Sequence, residues 1–196
     1  MFWRILAVAA CVLALASCGQ QQPASPSAVD AAAVSAPATS AVATATVQHE
    51  QDVPFEGTVK GVTIYDPANP KGCAAVPGQP FAITTVSDAT GTASHMGLMS
   101  FYGRHCQTAA GMAGDLVLTA ANGDKLFGTY LAHRVGTGPL VVGEYIHLSA
   151  PMTFSGGTGR FEHATGTGEM TGAVLWEGFA DLESPAEFQW QGRIRY

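Results

Sequence analysis

Six histidines, His49, His95, His105, His133, His147 and His163, are the residues of this chain best fitted to proton transfer or metal binding. Their spacing does not favour a metal. No pair stands as His-x-His or His-Glu-x-x-His, the arrangements that set ligands on one face of a strand or helix. Neither a metal nor a cofactor is therefore expected. Folding can still join distant strands, and three residues are the candidates for a polar group in a pocket. Tyr145 and His147 are two apart and so share one face of a strand. His95, in the bend Ser94-His95-Met96-Gly97, is the third, although a turn residue bonded to backbone is the favoured reading for it.

Other catalytic patterns are thin. Gly-x-Ser-x-Gly is missing, and Ser94 and Ser149 lie near histidines with no third member in view. Glu144, Glu169 and Glu177 would act as acid or base only if they faced inward, and a solvated outer face is the favoured placement. Gly156-Gly157-Thr158-Gly159 is followed by neither Lys-Ser/Thr nor a long helix, so a phosphate loop is not expected. Trp176, Phe188 and Trp190 read as core.

The first residues place these groups in a cell. A basic segment ending at Arg4, an apolar run from Ile5 to about Ala14 and small residues before a cysteine form a bacterial secretion signal over residues 1–17. Leu15-Ala16-Ser17-Cys18 matches the lipobox, in which Cys18 takes lipid and becomes the first mature residue. The apolar run is too short for the roughly 20 residues a bilayer span needs. Gly19, where inner-membrane retention would use aspartate, favours the outer membrane. The partner so implied is a membrane reached through the N-terminal lipid, with the domain facing the periplasm or the cell surface. Cys11 leaves with the signal, and Cys73 and Cys106 remain in an oxidising compartment, where a disulfide between them is expected.

Residues 18–48 are mostly Ala, Ser, Thr, Pro, Gln and Val with one charge, Asp30, and show no periodic apolar face. Such a composition reads as a disordered tether. Its root-mean-square reach is roughly 30 Å. Residues 49–196 are long enough for one domain with a core of its own. The chain carries a formal net charge of −6 and no basic stripe with interleaved aromatics, so nucleic acid is not an expected partner.

Within 49–196 no long segment has helical period. Short runs rich in Val, Thr, Phe and Tyr recur between glycines and prolines, which predicts an all-β fold. The runs are 55–64, 81–87, 98–107, 115–120, 125–134, 141–149 with continuation to 154, 169–176 and 186–196. Thr90 to Gly97 reads as a link. Asn122-Gly123 predicts a hairpin with a type I′ turn. In the last run Phe188, Trp190, Ile194 and Tyr196 share one face, opposite Gln189, Gln191, Arg193 and Arg195. Eight antiparallel strands, mostly joined to neighbours, close most economically into a barrel, which removes exposed edges. The corner of this barrel is Gly157, Gly159, Phe161, Ala164 and Gly166: glycines for a sharp reversal and a close approach, and an apolar pair three apart on one short helical turn that plugs an end.

The segment Gly157-Thr158-Gly159-Arg160-Phe161-Glu162-His163-Ala164-Thr165-Gly166 resembles the G-T-G-x-F-x-x-A-x-G segment of dirigent proteins and the related allene oxide cyclases. It is similar also to a group of small secreted bacterial proteins with comparable turns at His95-Met96-Gly97 and Ala121-Asn122-Gly123-Asp124. The resemblance implies a calycin-like eight-stranded antiparallel β-barrel, and it transfers no catalytic residue. The function expected is that of a lipid-anchored envelope barrel acting without catalysis, either binding a small apolar ligand or serving as an interaction module. An isomerase or cyclase is the enzyme alternative, and an inhibitor or interaction module using the outer face is another. A homo-oligomer stays open.

Overall fold

The computed structural model describes residues 52–76, 84–178 and 181–196. The expected signal, the expected lipid site at Cys18 and residues 18–48 lie outside them, as do His49 and residues 81–83 of the second expected strand. Residues 46–196 form one compact unit. The described part of that unit is a closed barrel of eight antiparallel strands, each paired with its neighbours in sequence. They are β1 Val53–Asp66, β2 Thr84–Ala93, β3 Gly97–Thr108, β4 Gly111–Ala120, β5 Lys125–Arg134, β6 Tyr145–Gly157, β7 Thr165–Leu175 and β8 Glu183–Arg195. Closure comes from β1 on β8, running from Val53 opposite Ile194 to Ile64 opposite Glu183. Ladders and core are complete within this unit, which gives residues 46–196 what a domain needs to fold alone.

Alternation decides which side chains enter. β8 sends Ser184, Ala186, Phe188, Trp190 and Ile194 inward and leaves Glu187, Gln189, Gln191 and Arg193 in solvent. The outer face of β8 is thus polar, unlike the apolar outer band of a barrel that spans a membrane. The end of the barrel where β1 begins is filled. Phe55 meets Phe154 edge to face at 5.3 Å, and Leu126 and Ile194 are fully buried beside them. A single 3₁₀ turn, Gly159–Phe161, closes that end, with Phe161 and Ala164 buried. Gly159 takes a positive φ of 58°, and a Cβ there would meet Asp124 Oδ1 at 1.9 Å. Glycine is therefore required twice over.

Of the boundaries that differ from the sequence reading, three have a visible physical cause. β2 continues through Gly91 to Ala93, because Gly91 marks a close crossing and not a break: a Cβ there would lie 1.9 Å from Thr58 O on β1. β7 starts at Thr165 for the same reason, with Gly166 pressed on Arg193 O across β8. β6 starts at Tyr145 and not at Val141, since Glu144 N bonds Val141 O and Gly143 N bonds Trp176 O in a turn with Gly143 at φ 85°. The Asn122-Gly123 hairpin forms without the type I′ turn. Asn122 keeps a negative φ, Gly123 alone is left-handed, and Asn122 Oδ1 accepts from Asp124 N at 3.1 Å.

Cys73 and Cys106 are joined by a disulfide with Cα atoms 5.3 Å apart. The bond lies on the outer wall, because Cys106 follows inward His105 on β3. It fastens the segment after β1 over Thr84, whose hydroxyl accepts from Lys71 N at 3.0 Å. Asn69 completes the fastening with bonds of 2.8 Å to both Cys73 N and Cys73 O.

Candidate functional site: an interior cavity

The end opposite the 3₁₀ turn is not filled. A cavity of about 160 Å³ opens there, bounded by the last residues of β1, β3, β5 and β7 and the first of β2, β4 and β6. Its floor is the stacked pair Phe101 and Phe188, with ring centroids 5.5 Å apart. Glycines let those rings lie flat. Gly172 faces Phe188 across the β7–β8 ladder, where a Cβ would sit 2.5 Å from the ring. Gly103 makes similar room beside Phe101, at 2.9 Å. Met112, Ala132, Leu148 and Val174 add apolar wall.

Two polar pairs interrupt that wall. His105 Nδ1 and the Tyr130 hydroxyl share a hydrogen bond of 2.8 Å, although β3 and β5 are not neighbours. The explanation is in the register. Gly114 on β4 is the partner of His105 on one side and of Tyr130 on the other. Having no side chain, it lets the two groups meet over it. Thr63 and Ser87 form the second pair, hydroxyl to hydroxyl at 2.9 Å across β1 and β2. Both pairs are hydrogen-bonded within themselves, which lowers the cost of holding them in an apolar space.

Burial governs ionisation here. It pushes the His105 imidazole down to about 4, with the Lys71 ammonium adding in the same direction. His105 is therefore neutral at neutral pH. Burial likewise raises the Tyr130 phenol, with the Asp115 carboxylate adding, and pushes Tyr65 up to about 12. The cavity thus presents an uncharged imidazole and uncharged phenols. At the rim Tyr65 meets Trp176 edge to face at 5.6 Å, and Arg134 and Leu140 complete the opening.

None of the three sequence candidates lies in this cavity. His95 is at the far end, in the left-handed region at φ 63°, with Nε2 at 3.0 Å from Pro54 O and its ring edge against Tyr196. Tyr145 and His147 do share a face of β6, but it is the outer one. Ala150, Met152 and Phe154 fill the core, so parity sends Ile146 and Leu148 to the cavity and turns Tyr145 and His147 out. Tyr145 is 56% exposed. Of the glutamates, Glu169 bonds Ser149 on the outer wall, and Glu144 and Glu177 do not line the cavity.

His105 and Tyr130 were within reach of the sequence. Met99, Phe101, Gly103 and His105 alternate on β3 as Leu126, Gly128, Tyr130 and Ala132 do on β5, so following each apolar face would have carried the reading to both. Among the described residues no group of three or more His, Cys, Asp or Glu is placed to hold a metal ion. Comparison with family models, characterised proteins and solved structures gives no match.

Proposed function

We propose that this protein is a non-catalytic binding barrel that holds one small, largely apolar ligand in its open end and is held at the cell envelope by lipid on Cys18. The observation that carries the reading is the contrast between the two ends. One is packed by aromatic and aliphatic side chains, while the other keeps a cavity of about 160 Å³ lined by apolar groups and a smaller number of polar ones, the Thr63–Ser87 and His105–Tyr130 pairs among them. An apolar space of about 150 Å³ holds a benzene-sized molecule. A few convergent polar groups in an otherwise apolar pocket are the usual make-up of small-molecule sites. The resemblance of the segment from Gly157 to Gly166 to dirigent proteins and allene oxide cyclases agrees with a barrel that receives a small molecule.

The enzyme reading has one observation in its favour, the His105–Tyr130 pair. A neutral imidazole bonded to a phenol inside an apolar cavity is a unit able to relay a proton, as an isomerase would need. Binding is preferred because an imidazole held to about 4 is a weak base at neutral pH. Native mass spectrometry of the Thr46–Tyr196 chain, purified from the producing cell, tests binding through a reproducible extra mass recovered in an organic extract. Anchoring is tested by Cys18→Ala, which moves the full chain from the membrane pellet to the soluble fraction; retention in the pellet would remove the lipid attachment.

A further inference from the structure

Among the described residues, Arg134 is the only one on the cavity lining with a permanent charge, and no described carboxylate lines it. That is unexpected in a chain with a formal net charge of −6. The side chain is at the rim, at the last position of β5, on the same inward parity as Tyr130 and Ala132. Its guanidinium is held in place. One terminal nitrogen donates to the carbonyls of Gly138 and Pro139, the latter at 3.3 Å, in the loop that follows. Among the described residues no carboxylate pairs with it, so Nε and the second terminal nitrogen remain as donors. A guanidinium presents its donors in a planar fork that matches a carboxylate in two parallel bonds. Along β5 the four residue-to-residue steps from Tyr130 to Arg134 span about 13 Å. This leaves room for an apolar body between the His105–Tyr130 pair and the rim.

We infer that the ligand is a small organic acid, with its ring or branched chain over the Phe101–Phe188 floor and its carboxylate on Arg134 at the mouth. The inference rests on the ligand-binding reading above and adds the charge and orientation of the ligand to it. A single fixed cation suits a single negative charge, and the apolar wall suits an uncharged remainder of roughly benzene size. Arg134 is here a binding group.

The test titrates the Thr46–Tyr196 chain at pH 7 with four probes of matched size, benzoate, cyclohexanecarboxylate, benzyl alcohol and toluene. Amide chemical shifts of Tyr130, Ala132 and Val174 report whether each probe enters the cavity. The acids are expected to bind about ten-fold more tightly than benzyl alcohol, as one charge-assisted pair supplies. Arg134→Gln brings the acids down to the level of the alcohol, and Arg134→Lys, which keeps the charge without the fork, recovers part of the difference. Equal affinity for benzoate and benzyl alcohol, with cavity shifts for both, overturns the inference and leaves the binding reading intact. An absence of cavity shifts for all four probes overturns both. The comparison of acid with alcohol in the unmutated chain decides the matter even if a variant fails to fold.

Discussion

His105 and Tyr130 stand on strands that do not pair, yet their side chains bond at 2.8 Å over Gly114, the register partner of both. The bond depends on a missing side chain. A Cβ at 114 would lie 2.6 Å from His105 Cβ, 2.7 Å from Arg104 O and 2.8 Å from the Tyr130 ring, and the backbone oxygen cannot swing away. Gly114→Ala is expected to cost about 1–3 kcal/mol as overpacking. It should also part the pair, which would be seen as a changed imidazole resonance of His105. Full stability with an unchanged resonance would mean that the register gap does not position these groups.

The same pair makes the fold sensitive to acid. In the unfolded chain His105 titrates near 6.5, while in the barrel burial lowers it to about 4. Between those values the unfolded state binds more protons, so stability is complete above about pH 6.5 and declines as pH falls toward 4. At about 1.4 kcal/mol per unit of pKa the loss is on the order of 3 kcal/mol. Urea titrations from pH 7 to pH 4 check it. His105→Asn should flatten the dependence over this window, whatever its own cost in stability. Tyr65 acts at the other extreme. Its phenol is raised from 10 to about 12, so stability falls as pH rises through that interval.

The barrel itself follows from features that are local in the chain. Period-two alternation, glycine and proline punctuation and the Asn122-Gly123 hairpin lead to eight antiparallel strands, and the closed structure has them. The site was harder to read because its residues are defined by parity and register, which depend on how strands are paired. Tyr145 and His147 were placed together correctly and on the wrong side. One residue of phase on β6 separates the cavity from solvent, and the apolar residues at 146, 148, 150 and 152 set that phase. Gly91 misled for a related reason. In a single sequence a glycine that ends a strand and a glycine on which another strand rests look the same.

The disulfide should hold the outer segment against β2 and β3. Cys73 and Cys106 are 33 residues apart. Closing a loop of that length in the unfolded chain is worth about 3–4 kcal/mol in the chain-entropy account. Reduction, or the Cys73→Ala and Cys106→Ala pair, should lower the urea midpoint and steepen the slope, because the unfolded chain is less compact without the link. An unaltered midpoint after complete reduction would show that the covalent link adds nothing to contacts such as those of Asn69 with the Cys73 backbone.

The central claim is that the open end is a ligand site, and filling that space tests it most directly. Ala132 is buried on the cavity wall and 2% exposed, so Ala132→Phe projects a ring into the space. Native mass spectrometry would be run on the unmutated Thr46–Tyr196 chain and the variant, both purified from the producing cell, with organic extracts of each. The account predicts one reproducible extra mass on the unmutated barrel and its loss from Ala132→Phe. A ligand-free mass with an empty extract from the unmutated barrel, or the same mass retained on a folded Ala132→Phe, would contradict it.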